Sequence, residues 1–172
     1  MQNPVAICFK IANEAHANQY RWDGTPYMIH INAVWGNLVK TIMQDRLFAL
    51  TQREELLAQC AALLHDVVED CMSAEELREK LSVIEDKEFV DELLGIVADE
   101  LTHDTKKHTY AEYVAHITSF IGLLVKYSDM QHNMSCSMQS ILDNKHILRA
   151  AKQMKKYGPV LTIVAQRMLD AR

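Results

Sequence analysis

The run Leu63-Leu64-His65-Asp66-Val67-Val68-Glu69-Asp70 places one imidazole and three carboxylates directly after the apolar stretch Cys60-Ala61-Ala62-Leu63-Leu64. Residues four apart share a helix face, so His65 would stack with Glu69 and Asp66 with Asp70. Acids that emerge from a core need a counter-charge, because buried carboxylates are rare unless paired or metal-bound. A solvated helix end is the plain alternative, and a divalent-metal site is the chemistry that the spacing favours. Two distant segments could complete such a site. His30 opens an amphipathic run through Ile31, Val34, Trp35, Leu38 and Ile42. Asp129 follows the apolar run Ile121, Leu123, Leu124 and Val125, and Asn133 lies four residues further on the same face. His30, His65, Asp66 and Asp129 together form a mixed nitrogen and oxygen donor set. It suits Mn²⁺, Fe²⁺ or Zn²⁺ better than Ca²⁺, which takes oxygen ligands.

The elements that must position these residues are helices. Asn3 caps a first helix with Pro4 at its first position, and Val5, Cys8, Ile11, Ala12 and Ala15 give a stripe to about Gln19. His16, beside that stripe, reads as a packing histidine. Arg21-Trp22-Asp23-Gly24-Thr25-Pro26-Tyr27 is a turn-rich loop, suited to stack a base and hold phosphate, and equally an ordinary connection with packed aromatics. Thr51 with Glu54, Ser73 with Glu76 and Thr109 with Glu112 are capping boxes, the first opening the helix that leads to His65 and the third a long helical stretch. Leu101 to His108 is a polar loop whose His103 and His108 read as a pocket rim rather than as ligands. Ile147 to Tyr157 is a basic amphipathic helix with Lys152, Lys155 and Lys156 outside. Gly158-Pro159 is expected to stop it, with a last helix from Val160 to about Ala171. Strand patterns are absent. The expectation is an all-α single domain over residues 1–172, with about seven or eight helices.

Composition narrows the function classes. The 172 residues are 49% apolar and 24% charged, enough for one domain with a full core. A net charge of −5 without a Lys/Arg-rich run predicts neither nucleic-acid nor membrane binding, but allows a phosphorylated small molecule held by a metal and a few local cations. Cys8, Cys60, Cys71 and Cys136 are scattered with no Cys-x-x-Cys, as expected for reduced thiols in a cytoplasmic protein. Neither a signal peptide nor an apolar run long enough to span a membrane is read.

The order His30, His65-Asp66, Asp129 resembles the HD-domain phosphohydrolases. The segments Gly24-Thr25-Pro26-Tyr27-Met28-Ile29-His30, Leu63-Leu64-His65-Asp66-Val67-Val68-Glu69-Asp70 and Val125-Lys126-Tyr127-Ser128-Asp129-Met130-Gln131-His132-Asn133 narrow that resemblance. They are similar to the RelA/SpoT-type alarmone hydrolases, in particular the stand-alone small ones, from about residue 5 to 140. The resemblance implies a bundle of the HD type. It implies metal ligation by His30, His65, Asp66 and Asp129, usually of Mn²⁺. It implies that Glu69 and Asp70 position and deprotonate the attacking water, that Arg21 contacts the base and that Asn133 helps hold the nucleoside. Lys126 is a plausible phosphate contact, or a lysine that snorkels from the core edge. The implied reaction removes the 3′-pyrophosphate of guanosine tetra- or pentaphosphate. Three departures bear on the pocket: Trp22 stands where a basic residue is common, Met130 follows Asp129, and Met134-Ser135-Cys136 follow Asn133. These positions are expected to shape the nucleoside end. They leave adenine alarmones, other phosphorylated nucleotides and a nucleotidase releasing orthophosphate open, together with a non-catalytic alarmone-binding role.

Overall fold

Side-chain caps decide where most of the helices begin. Asn3 accepts the Val5 N–H and, with Pro4, starts α1 (Pro4–Ala15). Capping boxes at Thr51, Ser73 and Thr109 start α3 (Gln52–Leu64), α5 (Ala74–Leu81) and α7 (Tyr110–His116). Asp86 caps α6 (Lys87–Leu94), which continues as a π-helical turn over Gly95–Glu100. Ser119 caps α8 (Phe120–Leu142). The set is completed by α2 (Tyr27–Gln44), the single turn α4 (Val67–Asp70) and α9 (Ile147–Asp170). This computed structural model describes residues 3–44 and 49–171; the Met1-Gln2 part of the N-terminal reading lies outside them. Among the described residues there are no strands, only one isolated antiparallel bridge between Tyr20 and Pro26. Eight helices and one single turn agree with the all-α expectation.

The core is built around α3, whose Leu57, Ala58 and Cys60 to Leu64 have no solvent exposure. Helices α1, α2 and α8 pack on it, and α9 packs along α8. Burying Leu57, Leu63 and Leu64, each stabilising by about 1.5–3 kcal/mol, with small Ala and Cys side chains between them that let the neighbouring helices approach, is what fixes the end of α3 and therefore His65. Among the described residues, no helix is long and apolar enough to cross a membrane.

Three boundaries differ from the sequence reading. First, α9 runs unbroken through Gly158-Pro159. A proline costs a helix one N–H and a clash with the carbonyl four residues back. Here the apolar stripe Ala150, Tyr157, Val160, Val164 and Met168 continues across it and is buried on both sides, so packing holds the helix together. Second, the stretch from Thr109 is split into α7 and α8. Glu100 at the end of the π-helical turn accepts from the Thr118 and Ser119 N–H groups and from the Thr118 hydroxyl, which fixes a corner and frees Ser119 to cap Gly122. Third, a turn at His65-Asp66 separates α3 from α4. Although the Asp70 N–H bonds the Asp66 carbonyl at 2.9 Å, the two side chains part, Asp66 towards His30 and His65 and Asp70 towards Gln19.

The corner has no room at Gly122. A Cβ there would lie 2.4 Å from Glu100 Oε2, 2.8 Å from Ser119 Oγ and 2.9 Å from Ile117 Cγ2. Gly122→Ala is therefore expected to destabilise the protein by about 1–3 kcal/mol, read as a shift of the urea midpoint at constant slope. A midpoint equal to wild type would refute the close approach.

Candidate functional site

The end of α3 delivers His65 and Asp66 to the point where α2 brings His30 and α8 brings Asp129. His65 Nδ1 lies 2.9 Å from the Ala62 carbonyl, which assigns its proton to Nδ1 and leaves the Nε2 lone pair facing inward. That Nε2 is 3.3 Å from His30 Nε2 and 3.1 Å from Asp66 Oδ2. His30 Nε2 is in turn 3.4 Å from Asp66 Oδ2 and 3.4 Å from Asp129 Oδ1. The donor atoms of His30, His65 and Asp66 all lie within 4.8 Å of one another, and both histidines are buried. Two imidazole nitrogens aimed at each other between two carboxylates are what a divalent cation requires, and the residues fit one.

The surroundings hold these donors in place. Tyr27 Oη donates to Asp66 Oδ2 at 2.7 Å. Lys126 Nζ donates to Asp129 Oδ2 at 2.9 Å, and Asn133 Nδ2 to Asp129 Oδ1 at 2.6 Å. His132 was quoted in the sequence motif but given no role there. Its Nδ1 is 2.7 Å from His30 Nδ1, so with His30 Nε2 facing the cluster the proton between them belongs to His30. Metal-binding histidines are commonly oriented by such a partner on their other nitrogen.

Charges follow from this packing. Burial opposes ionisation of Asp66, but His65 and His30 beside it hold its carboxyl well below the usual range. Burial likewise opposes a charged His65, yet Asp66 raises it to about 9. A cation and that proton compete for the same Nε2 lone pair. Burial alone would neutralise Lys126, and Asp129 keeps it charged. Burial and the neighbouring His30 push His132 down to about 4. Glu69 is pushed above the ordinary carboxylate range, first by desolvation, against the pull of the His103 N–H that it accepts at 2.9 Å.

A pocket of about 290 Å³ opens over the cluster. Its walls carry His30, Asp66, Asp129 and Glu69 as well as Arg21, Lys126 and Asn133, so seven of the residues named from sequence meet in one place. His65 lies directly beneath. Asp70, exposed like Glu69, is set apart from it: Asp70 is not among the wall residues and accepts from Gln19 Nε2 at 2.8 Å. The loop after α1 is shaped for its task. The Arg21 N–H donates to the Thr25 carbonyl at 2.8 Å, and Gly24 takes a φ of +85°, which suits glycine. This loop presents Arg21, whose Nη2 donates to Asn133 Oδ1 at 3.1 Å, and Trp22.

The remaining wall was not foreseen. Tyr110 and Tyr113 of α7, with Arg149, Gln153, Lys156 and Tyr157 of α9, close the pocket. Lys156, read from sequence as lying outside, is exposed and lines the pocket as well. The signal was the spacing 149, 153, 156 and 157, one face of the helix read over Ile147 to Tyr157, to which the sequence reading gave no role in the site. His103 lines the rim as expected, with its ring stacked on Tyr113. His16 is buried, stacked on Tyr27 and 2.5 Å from Gln19 Oε1, a packing histidine as read. Cys8, Cys60, Cys71 and Cys136 are free thiols. Of the departures from the family pattern, only Trp22 is on the pocket wall. Met130 is fully buried in the core, and Met134, Ser135 and Cys136 are not wall residues. One step along α8 from Asp129 turns a side chain by about 100°, away from the site and into the core.

No family model matches the chain. Over 160 residues it is 31% identical to the bifunctional (p)ppGpp synthase/hydrolase SpoT of Escherichia coli K12, which covers 88% of this chain and 20% of that protein. Over 158 residues it is 30% identical to the guanosine-3′,5′-bis(diphosphate) 3′-pyrophosphohydrolase of Haemophilus influenzae, covering 87% and 21% respectively. The chain thus spans about a fifth of the length of the curated relatives it matches. Among solved structures it superposes on a metazoan ortholog of SpoT described as hydrolysing ppGpp and acting in starvation responses, with a TM-score of 0.61, 23% identity and 98% of each chain covered. The chain is therefore a homologue of the SpoT-type proteins over most of its own length, with the all-α fold of the metazoan ortholog.

Proposed function

We propose that this chain is a metal-dependent phosphohydrolase of the RelA/SpoT type that removes the 3′-pyrophosphate of guanosine tetra- or pentaphosphate, giving GDP or GTP and pyrophosphate. The observation that carries this reading is the convergence of His30, His65, Asp66 and Asp129 at the floor of a pocket that also holds Glu69 and the cations Arg21 and Lys126. The names of the relatives support the same substrate. Mn²⁺ is the proposed ion, with Fe²⁺ and Zn²⁺ as alternatives, since the donor set mixes imidazole with carboxylate. When bound, such an ion lowers the pKa of a water and offsets charge on the phosphoryl oxygens.

The chain's own residues do the rest. Glu69, kept basic by desolvation, takes a proton from the attacking water as the bond from phosphorus to the ribose O3′ breaks and O3′ gains a proton. Asp70 acts through its charge, which further raises Glu69. Lys126 meets phosphate oxygens, Arg21 stacks against or bonds the base, and Asn133 joins Arg21 to Asp129 and holds the nucleoside end. We further propose that residues 1–172 act as one HD domain in the cytoplasm, on a small nucleotide and without nucleic-acid or membrane partners, as the acidic charge balance supports.

The test is a product analysis with guanosine tetraphosphate and its adenosine counterpart side by side, with Mn²⁺ and with chelator. Nucleoside 5′-diphosphate plus pyrophosphate, lost on chelation, is the expected result, and the faster substrate reports the base preference. Orthophosphate as sole phosphorus product would replace the reading with a nucleotidase. Turnover of neither substrate by metal-loaded protein would point to a binding role.

A further inference from the structure

We infer that Lys156, seated on Tyr110 and Tyr157, holds the terminal phosphate of a diphosphate group whose inner phosphate lies at the His/Asp cluster, which makes the pocket selective for diphosphoryl over monophosphoryl groups. This rests on the proposed function and names the feature of the same site that would read the leaving diphosphate.

Lys156 differs from the neighbouring lysines of α9. Lys152, Lys155 and Lys156 are all exposed, but of the three only Lys156 is on the pocket wall. Its Nζ is 4.2 Å from the Tyr110 ring centroid and 5.0 Å from that of Tyr157, so two aromatic faces orient the ammonium. Lys126 Nζ lies 5.5 Å from the same Tyr110 centroid. The Tyr110 ring is therefore shared by two ammonium groups. Their charges are not equally matched. Lys126 is bonded to Asp129, while Lys156 has no ion pair among the described residues. Desolvation and the charge of Lys126 lower the Lys156 pKa, the penalty expected of a cation placed where an anion is to bind. The Tyr110 hydroxyl is buried on this wall without a hydrogen-bond partner, and it supplies an uncommitted donor at the same spot. A monophosphate on the cluster would be met by Lys126. A second phosphate on the α7 and α9 side meets this lysine and hydroxyl, with Arg149, over the Trp22 ring, the other α9 cation on the wall.

The experiment uses metal-loaded protein as wild type, Lys156→Gln, Lys156→Arg and Lys152→Gln. Calorimetric titration with inorganic pyrophosphate and with orthophosphate needs no turnover. Lys156→Gln should lose pyrophosphate affinity by about 10- to 100-fold, the range of a charge-assisted hydrogen bond, and lose far less for orthophosphate. Lys156→Arg should recover most of the loss, and Lys152→Gln should match wild type. In kinetics, the fall in kcat/KM on a nucleoside 3′-diphosphate should exceed that on the matching 3′-monophosphate by a similar factor. Equal losses for the two ligands, no loss of pyrophosphate affinity, or a wild type that binds both ligands alike would overturn the inference. A wild type that binds pyrophosphate through Lys156 but does not hydrolyse alarmones would overturn the proposed reaction and uphold this assignment.

Discussion

Asp66→Ala is expected to abolish metal retention and turnover together, with kcat/KM falling on the order of 10³-fold or more. Asp66 has a unique position among the four donors. Its Oδ2 lies within 3.4 Å of the Nε2 atoms of both His30 and His65, and it also accepts from Tyr27. Removing it takes one ligand and leaves the two imidazoles facing each other without a carboxylate beside His65. Metal content by mass spectrometry reads the loss directly. A second readout follows from linkage, because a ligand that binds only the folded state stabilises it. Chelation should lower the Tm of the wild type and leave that of Asp66→Ala unchanged. A variant with full metal content would remove Asp66 from the ligand set.

Glu69→Gln is expected to give the second largest effect and a different pattern. It should slow turnover by about 10²–10⁴-fold, the usual worth of a general base, while metal content and the chelation-sensitive Tm stay as in wild type. The carboxylate lines the pocket beside the cluster without being one of its donors, and the His103 N–H fixes one of its oxygens. Because a base acts in the transition state, the loss should fall on kcat with KM little changed. Asp70→Asn should cost much less, since that side chain bonds Gln19 off the pocket wall and acts on Glu69 only by charge. Wild-type turnover by Glu69→Gln would take it out of the mechanism.

The His/Asp cluster was legible because its members break a rule that their neighbours keep. His65 ends an apolar, fully buried run, and His30 and Asp129 are buried polar side chains on helices whose inward residues include Ile31, Val34 and Leu38, or Leu124, Val125 and Met130, so packing had to bring them inside and chemistry had to justify it. Three separated segments of that kind point to one site even before their geometry is known. The capping boxes were equally legible, since the Ser or Thr and the Glu three residues later satisfy each other locally. What failed was whatever depended on tertiary packing. Pro159 carries a strong local signal to stop a helix, and the stripe buried against α8 outweighs it. Arg149, Gln153, Lys156 and Tyr157 share a face of the helix read over Ile147 to Tyr157, but only the packing of α9 on α7 and α8 makes that face one wall of the site. The spacing rule paired Asp66 with Asp70, and their backbones do keep that register, but tertiary partners part the side chains: Tyr27 and His65 hold Asp66, and Gln19 holds Asp70. Met130 looked like a change in the pocket because it is next to Asp129 in sequence, yet neighbours on a helix point in different directions.

The most direct test of the account is ³¹P NMR of guanosine tetraphosphate turnover in H₂¹⁸O by protein titrated with Mn²⁺. The account predicts pyrophosphate that carries one ¹⁸O, GDP without label, and a rate that saturates as the metal site fills and vanishes with chelator. Water attack at phosphorus puts the label in the pyrophosphate, and scission of the bond to O3′ leaves the ribose unlabelled. Labelled orthophosphate, or a rate indifferent to metal, would contradict it.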